Sequence, residues 1–337
     1  KCASCHDSFI DRWTLKEAYG LASIYSQKPL ELTRCDIPTG EMAQAAWIFP
    51  ELGTLDPEAE QPERLKQLSR LMTHPENGRF ARTIVNRLWK QLMGRGIVHP
   101  VDAMHTRPWS EDLLDYLGVY LVEQNYDLKK VIQLIVSTRI YQSKGVHDEQ
   151  KPDPDAYVFR GPIMKRMTAE QFLDSIWSIT RTWPEPDKKA FKLDGRKQGG
   201  QLTAVLKAQG ENVEWENRAL RAVFTPQNRF QASLGRPSRE QVVTDRPDLL
   251  TTLEAIYLSN GPVLAKTLSS AAEHILEKWN DNPEGMILWL FNYSLSRNPT
   301  VSEQQILQDL VGKEPVPEVV EDLLWAVFML PEFQYIN

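Results

Sequence analysis

The chain has 337 residues, 42% hydrophobic and 25% charged, with ten tryptophans, a globular composition that excludes a disordered polymer. At this length a single core usually gives way to several, so two or three lobes are expected. The net charge of −6 gives no electrostatic footprint for nucleic acid, and no run approaches the roughly 18 uninterrupted apolar residues of a membrane span.

The chain opens on Lys1-Cys2-Ala3-Ser4-Cys5-His6, which spells the C-x-x-C-H haem attachment signature. Two thiols at this spacing can each add to one vinyl group of a haem, and the adjoining histidine can ligate the iron. Cys2 and Cys5 are therefore the candidate thioether residues of a covalent haem c, and His6 the candidate proximal ligand. Three other readings stay open: a redox dithiol, which wants a βαβ context; a zinc site of Cys2, Cys5 and Cys35 with one histidine; and free thiols. Haem attachment to this motif takes place outside the cytoplasm, so a periplasmic or extracellular location and an upstream export signal are expected. With the motif one residue from the start, the chain reads as the C-terminal part of a longer polypeptide.

Thr14-Leu15-Lys16-Glu17 forms a capping box before a short helix near 15–26. Residues 27–61, with Pro29, Pro38, Pro50 and Pro57 and with Gly40 and Gly53, read as irregular connection. From Pro62 the spacing of Leu65, Leu68, Leu71 and Met72 predicts a helix, and Phe80, Ile84, Leu88 and Leu92 predict another over about 79–93 that stops on Gly94-Arg95-Gly96. Ser110 and Asp127 cap two more. Residues 144–162 read as a linker or long loop. Thr168 and Gln171 cap the next helix, 184–212 is a polar excursion, and a short strand pair is admitted between 213 and 235. Helices then follow from Asp248 to Asn260, Pro262 to Trp279, Pro283 to Ser296, Ser302 to Val311 and Pro317 to Leu330. The class is mostly α, in two to three lobes with long irregular connections and at most a small β element.

Of the other polar residues, Met104 or His105 is the candidate sixth ligand of a haem iron, with His74, His99 and Met42 behind them. Arg79, Arg82, Arg87, Lys90 and Arg95 place five positive charges on and after one helix, either as a solvated face with internal partners or as a hold for haem propionates or another anion. Arg236, Arg239 and Arg246 with Glu240 and Asp245 read as an interlobe ion-pair network, and Trp89, Trp177, Trp289 and Trp325 as core. No G-x-S-x-G, H-E-x-x-H, Walker loop or G-x-G-x-x-G opening a helix is present.

Several longer strings carry a resemblance. They are Cys2-Ala-Ser-Cys-His-Asp7 with Trp13-Thr14-Leu15-Lys16, Asn77-Gly-Arg-Phe-Ala-Arg-Thr-Ile-Val-Asn-Arg-Leu-Trp89 with Gly94-Arg-Gly-Ile-Val98, Arg166-Met-Thr-Ala-Glu-Gln171, Gly235-Arg-Pro-Ser-Arg-Glu240, and Leu295-Ser-Arg-Asn-Pro-Thr300. In these the chain resembles the secreted planctomycete-type haem-c proteins, which join a planctomycete-specific cytochrome domain to a planctomycete-specific C-terminal domain of unknown function. The resemblance implies that residues 1–60 end a cytochrome-type domain, and that 61–145 and 146–337 are two helical lobes of the C-terminal domain. Where the family usually carries a double acidic pair, this chain has Asp102-Ala103.

Three functions remain in play at this stage. The first is an extracytoplasmic haem c protein passing electrons to a redox partner protein or an upstream haem module, with a C-terminal scaffold or docking domain. The second is a haem-linked oxidoreductase acting on a carbohydrate-type substrate, a carbohydrate or an anion being the possible ligand. The third is a non-redox structural or binding module with zinc or no metal at the cysteines.

Overall fold

Capping side chains set where the helices begin, and a computed structural model shows them over residues 2–9, 12–146, 157–184, 221–238, 243, 246 and 250–336, which are the residues described below. Thr14 and Glu17 cap α1 (Leu15–Tyr25) reciprocally, each side chain accepting from the other's backbone N–H. Pro62 sits in the first turn of α2 (Gln61–Met72). Asn77 caps α3 (Gly78–Met93), which ends on Gly94 at φ +86°. Ser110 starts α4 (Glu111–Glu123) and Asp127 starts α5 (Leu128–Val136).

Thr168 and Gln171 box the start of α6 (Ala169–Thr180), and a short α7 (Arg229–Ser233) follows. The helix expected from Asp248 is not formed at positions 250 and 251, because Thr251 boxes with Glu254 and starts α8 (Thr252–Asn260); Asp248 itself lies outside the described residues. Next come α9 (Pro262–Trp279) and α10 (Pro283–Leu295). Thr300 boxes with Glu303, so α11 (Val301–Val311) starts one residue before the expected Ser302. The chain closes with α12 (Pro317–Met329) and α13 (Pro331–Gln334).

The protein is thus mostly α, with two small antiparallel pairs among the described residues. The first corrects the expectation of irregular chain over 27–61: β1 (Leu30–Arg34) pairs with β2 (Ile37–Ala43). Proline and glycine disguised it, yet Pro38 is tolerated because β2 is a largely exposed edge strand. The register slips between Glu31 and Thr33, and Gly40 on the facing strand takes φ +77° there. The second pair joins β3 (Lys165–Arg166) to β4 (Tyr335–Ile336). No strand forms at Ala222–Phe224, which is instead a 3-10 turn; the other half of that expected pair, Val213 to Trp215, lies outside the described residues.

The chain divides into two compact units, Lys1–Ile163 and Met164–Asn337. The first holds two cores. Ile24 of α1, Ala45, Leu55 and the α2 residues Leu68 and Leu71 build one; Val85, Trp89, Leu114, Leu121, Val131 and Ile135 of α3 to α5 anchor the other. The second unit has a larger core, with Leu173 and Ile176 of α6, Leu268 and Ala272 of α9, Leu290 of α10 and Leu324 of α12 at its centre.

Several strings that looked chemical are structural pins. Asn77, 5% exposed, donates its amide to the carbonyls of Leu71 and Met72 and so ties α2 to α3. Asn86, fully buried, donates to Val98 O (3.0 Å) and Val101 O (2.8 Å) and accepts from Val98 N–H (2.9 Å), fastening the Gly94 to Val101 loop against α3. Arg297 binds Glu303 through both terminal nitrogens and reaches Glu332 at 2.7 Å. Hydrogen bonds from Arg297 and from the Thr300 backbone bring the Glu303 carboxyl down to about 2.

The expected interlobe network is instead internal to the second unit. Glu170 of α6 receives both Arg246, at 2.6 and 3.1 Å, and Arg236, at 3.5 Å, while Arg239, Glu240 and Asp245 lie outside the described residues. Burial acts to raise the Glu170 carboxyl, but the Arg246 hydrogen bond and the two guanidinium charges outweigh it and hold it below its ordinary value. A buried ion pair, Arg166 to Glu254 at 2.6 Å, ties β3 to α8.

Candidate functional site

Residues 2–9 are chain without a long helix, and their shape comes from backbone contacts with α1 and the β1–β2 hairpin. Cys2–Ser4 make one 3-10 turn; the side chain of Cys2 lies outside the described set. Asp7 Oδ1 accepts the Leu15 N–H at 2.8 Å, its Oδ2 faces Arg34 Nη2 at 3.6 Å, and the Ser8 N–H donates to Trp13 O at 2.8 Å. These bonds fold the segment back onto the start of α1.

The hairpin then reaches the motif. Arg34 pairs with Ile37, which leaves Cys35 and Asp36 as a two-residue turn, both at positive φ, +47° and +69°. That is the signature of the I′ turn, whose twist matches the flanking strands. The turn places the Cys35 N–H on Cys5 O at 3.0 Å and its Sγ 3.7 Å from the same oxygen. Both Cys5 and Cys35 are free, exposed thiols. Sequence reasoning gave Cys35 no fixed place, because its position depends on a hairpin hidden behind Pro38 and Gly40.

His6 lies half-buried, and its Nδ1 donates to Asp7 O at 2.7 Å. A carbonyl oxygen only accepts, so Nδ1 carries the proton and Nε2 keeps the lone pair that a metal needs. Nε2 has no hydrogen-bond partner among the described residues. This donor set fits a covalent haem: an exposed Cys5 thiol beside an imidazole whose outer nitrogen is oriented by a second-sphere carbonyl. Phe9, 88% exposed, lies 4.6 Å from the His6 ring at an interplanar angle of 31° and covers one face of the imidazole. Nothing in the sequence pattern singled out Phe9. Among the described residues no group of three or more His, Cys, Asp or Glu side chains is positioned to hold a metal ion.

The other candidates are dispersed. Met104 is half-buried against the α3 to α5 core, with Asn86 Nδ2 3.9 Å from its sulfur, and His105 is exposed. His74 accepts the Glu76 N–H at 3.2 Å in the loop between α2 and α3, and Met42 is exposed on β2. Four members of the cation row take separate roles: Arg82 pairs with Asp115, Arg87 binds Asp102 at 2.7 Å, and Arg79 and Arg95 lie over aromatic rings. Asp102, the remaining member of the acidic pair, is thus engaged by Arg87 of α3.

The second unit carries a cleft of about 320 Å³ lined by Leu264 and Leu268 of α9 and by Glu321, Asp322 and Trp325 of α12. Trp325, expected in the core, is 39% exposed here, and its indole N–H donates to Leu258 O at 2.9 Å. The sequence matches the family described as PSD1, protein of unknown function (DUF1553), over residues 64–311. No curated protein and no solved structure matches the chain.

Proposed function

We propose that this chain, which belongs to the PSD1 (DUF1553) family, is an extracytoplasmic c-type haem protein that passes electrons. Cys2 and Cys5 form the thioethers, His6 Nε2 is the proximal ligand, and the PSD1 region serves as scaffold or docking surface. The observation that carries the reading is the His6 Nδ1–H bond to Asp7 O, which fixes the tautomer and turns the free nitrogen outward one residue from an exposed thiol. Haem held by these residues would supply a one-electron couple whose potential depends on its ligands and on its burial. The protein's own part is to orient the imidazole through Asp7, to cover one imidazole face with Phe9, and to hold the motif against α1 through Leu15 and against β1 through Arg34. The planctomycete-type architecture, with an upstream haem module as electron partner, belongs to the same proposal.

The test is an optical spectrum, oxidised and reduced, with a pyridine haemochrome assay on protein matured in a host that attaches haem c. A c-type spectrum that Cys5→Ser weakens and His6→Ala shifts is the expected result, and a colourless protein overturns the reading. One observation favours a second reading. The hairpin brings Cys35 onto Cys5, so a colourless protein that carries zinc, lost on Cys35→Ser, would place the motif among thiolate zinc sites.

A further inference from the structure

The cleft in the second unit carries chemistry that the cysteine motif does not use. Its floor is Leu264 and Leu268 of α9, 3% and 5% exposed, and its walls are the exposed Ala265 with Glu321, Asp322 and Trp325 of α12. Glu321 and Asp322 stand four and three residues before Trp325, so the three side chains share one face of the helix. At about 320 Å³ the cleft has the room of a small-ligand site, a class that runs from roughly 300 to 1,000 Å³.

The walls are complementary to one ligand chemistry. The indole N–H of Trp325 is engaged by Leu258 O, which holds the ring in place, so what the ring presents to the cleft is carbon with a negative π face. Glu321 is half-buried and Asp322 exposed, and neither carboxylate has an ion pair or hydrogen bond with a described residue. Elsewhere in the same unit Glu170, Glu254 and Glu303 each face an arginine. No Lys, Arg or His is among the described residues that line the cleft. The two carboxylates thus meet an apolar floor and an aromatic ring with no cation of the chain's own between them.

We propose that this cleft binds a small organic cation, an ammonium group carried on a short apolar body. Glu321 and Asp322 take the charge, the Trp325 ring adds a cation–π contact, and Leu264 and Leu268 receive the apolar part. Two negative walls repel an anion. A sugar is matched less well, because apart from the Ser259 hydroxyl the lining side chains offer it carbon and acceptors, the indole donor being engaged already. The site lies outside the cysteine motif and stands or falls without haem.

The experiment is titration of the full chain, at constant ionic strength, with butylammonium and butyltrimethylammonium chloride, against 1-butanol, sodium butyrate and glucose, read by saturation-transfer NMR and by thermal midpoint. Saturable binding of both cations with a rise in midpoint is expected, with butanol weaker and butyrate and glucose silent. Glu321→Gln with Asp322→Asn should weaken both cations by about tenfold, and Trp325→Leu should weaken butyltrimethylammonium by about threefold. Glu318→Gln, an exposed carboxylate in the first turn of the same helix and outside the cleft, should leave binding unchanged. Should Trp325→Leu fail to fold by circular dichroism, the double variant decides. The proposal is overturned by no saturable response to either cation, by butanol or butyrate binding as tightly, by a response to glucose alone, or by parent affinity in a folded cleft variant.

Discussion

Residues 2–9 and the string from Asn77 to Val98 both looked chemical as sequence, yet they differ in what their polar atoms do. In the second string Asn77 and Asn86 are buried and fully hydrogen-bonded, and Arg82 and Arg87 face internal carboxylates. In the first, the Cys5 thiol is exposed and one nitrogen of His6 is held in place while the other is left open. A polar residue in a motif bears on function when the fold orients it and leaves an atom unused. Where the polar atoms are engaged, as they are in Asn77, Arg82, Asn86 and Arg87, the motif describes the fold.

The sharpest way to break that contrast is to attack the engaged groups and look for large losses of stability. Removing one partner of the buried Arg166–Glu254 pair, by Glu254→Ala, should cost about 3–5 kcal/mol, and Arg166→Met with Glu254→Leu together should recover most of it; urea unfolding followed through the second unit's tryptophans measures both. Asn86→Ala strands the Val98 N–H and the Val98 and Val101 carbonyls, for an expected loss of about 3 kcal/mol. Either variant unfolding at the parent's urea midpoint would contradict the structural role.

Acid provides a smaller perturbation. Glu303, at about 2, and Glu170 both sit below the ordinary glutamate value of 4.5. A depressed carboxylate stabilises fully above its unfolded value and loses that contribution as pH falls toward the folded one. The second unit's thermal midpoint should therefore decline from about pH 4.5 downward, and modestly, because Glu303 is a third exposed and screened by salt. Arg297→Gln should flatten that decline. The smallest effect is expected at the hairpin, where Asp36→Gly relieves a positive φ and should stabilise by about 0.5–1 kcal/mol, leaving the chemistry of Cys5 and His6 untouched.

Legibility in the sequence followed locality. The boxes at Thr14 with Glu17 and Thr168 with Gln171 are complete within four residues, so the starts of α1 and α6 could be read directly. The hairpin could not, since an exposed edge strand tolerates the proline and glycine that usually argue against a strand. The approach of Cys35 to Cys5 inherits that difficulty. Trp325 sits at helical spacing with core residues, yet it is 39% exposed and hydrogen-bonds the Leu258 carbonyl, a partner 67 residues away that local spacing does not reveal. Likewise the arginine row on and after α3 reads as one face until Asp102, Asp115, Trp13 and Tyr157 arrive from other segments to divide it.

The central claim is that the open atoms of residues 2–6 hold a covalent haem. Its most direct test is intact-mass spectrometry of the denatured protein after maturation in a host that attaches haem c. The account predicts a gain of one haem mass that maps to the peptide bearing Cys2 and Cys5 and is lost in the Cys2→Ser, Cys5→Ser double variant. A protein of unmodified mass from the same host would contradict it.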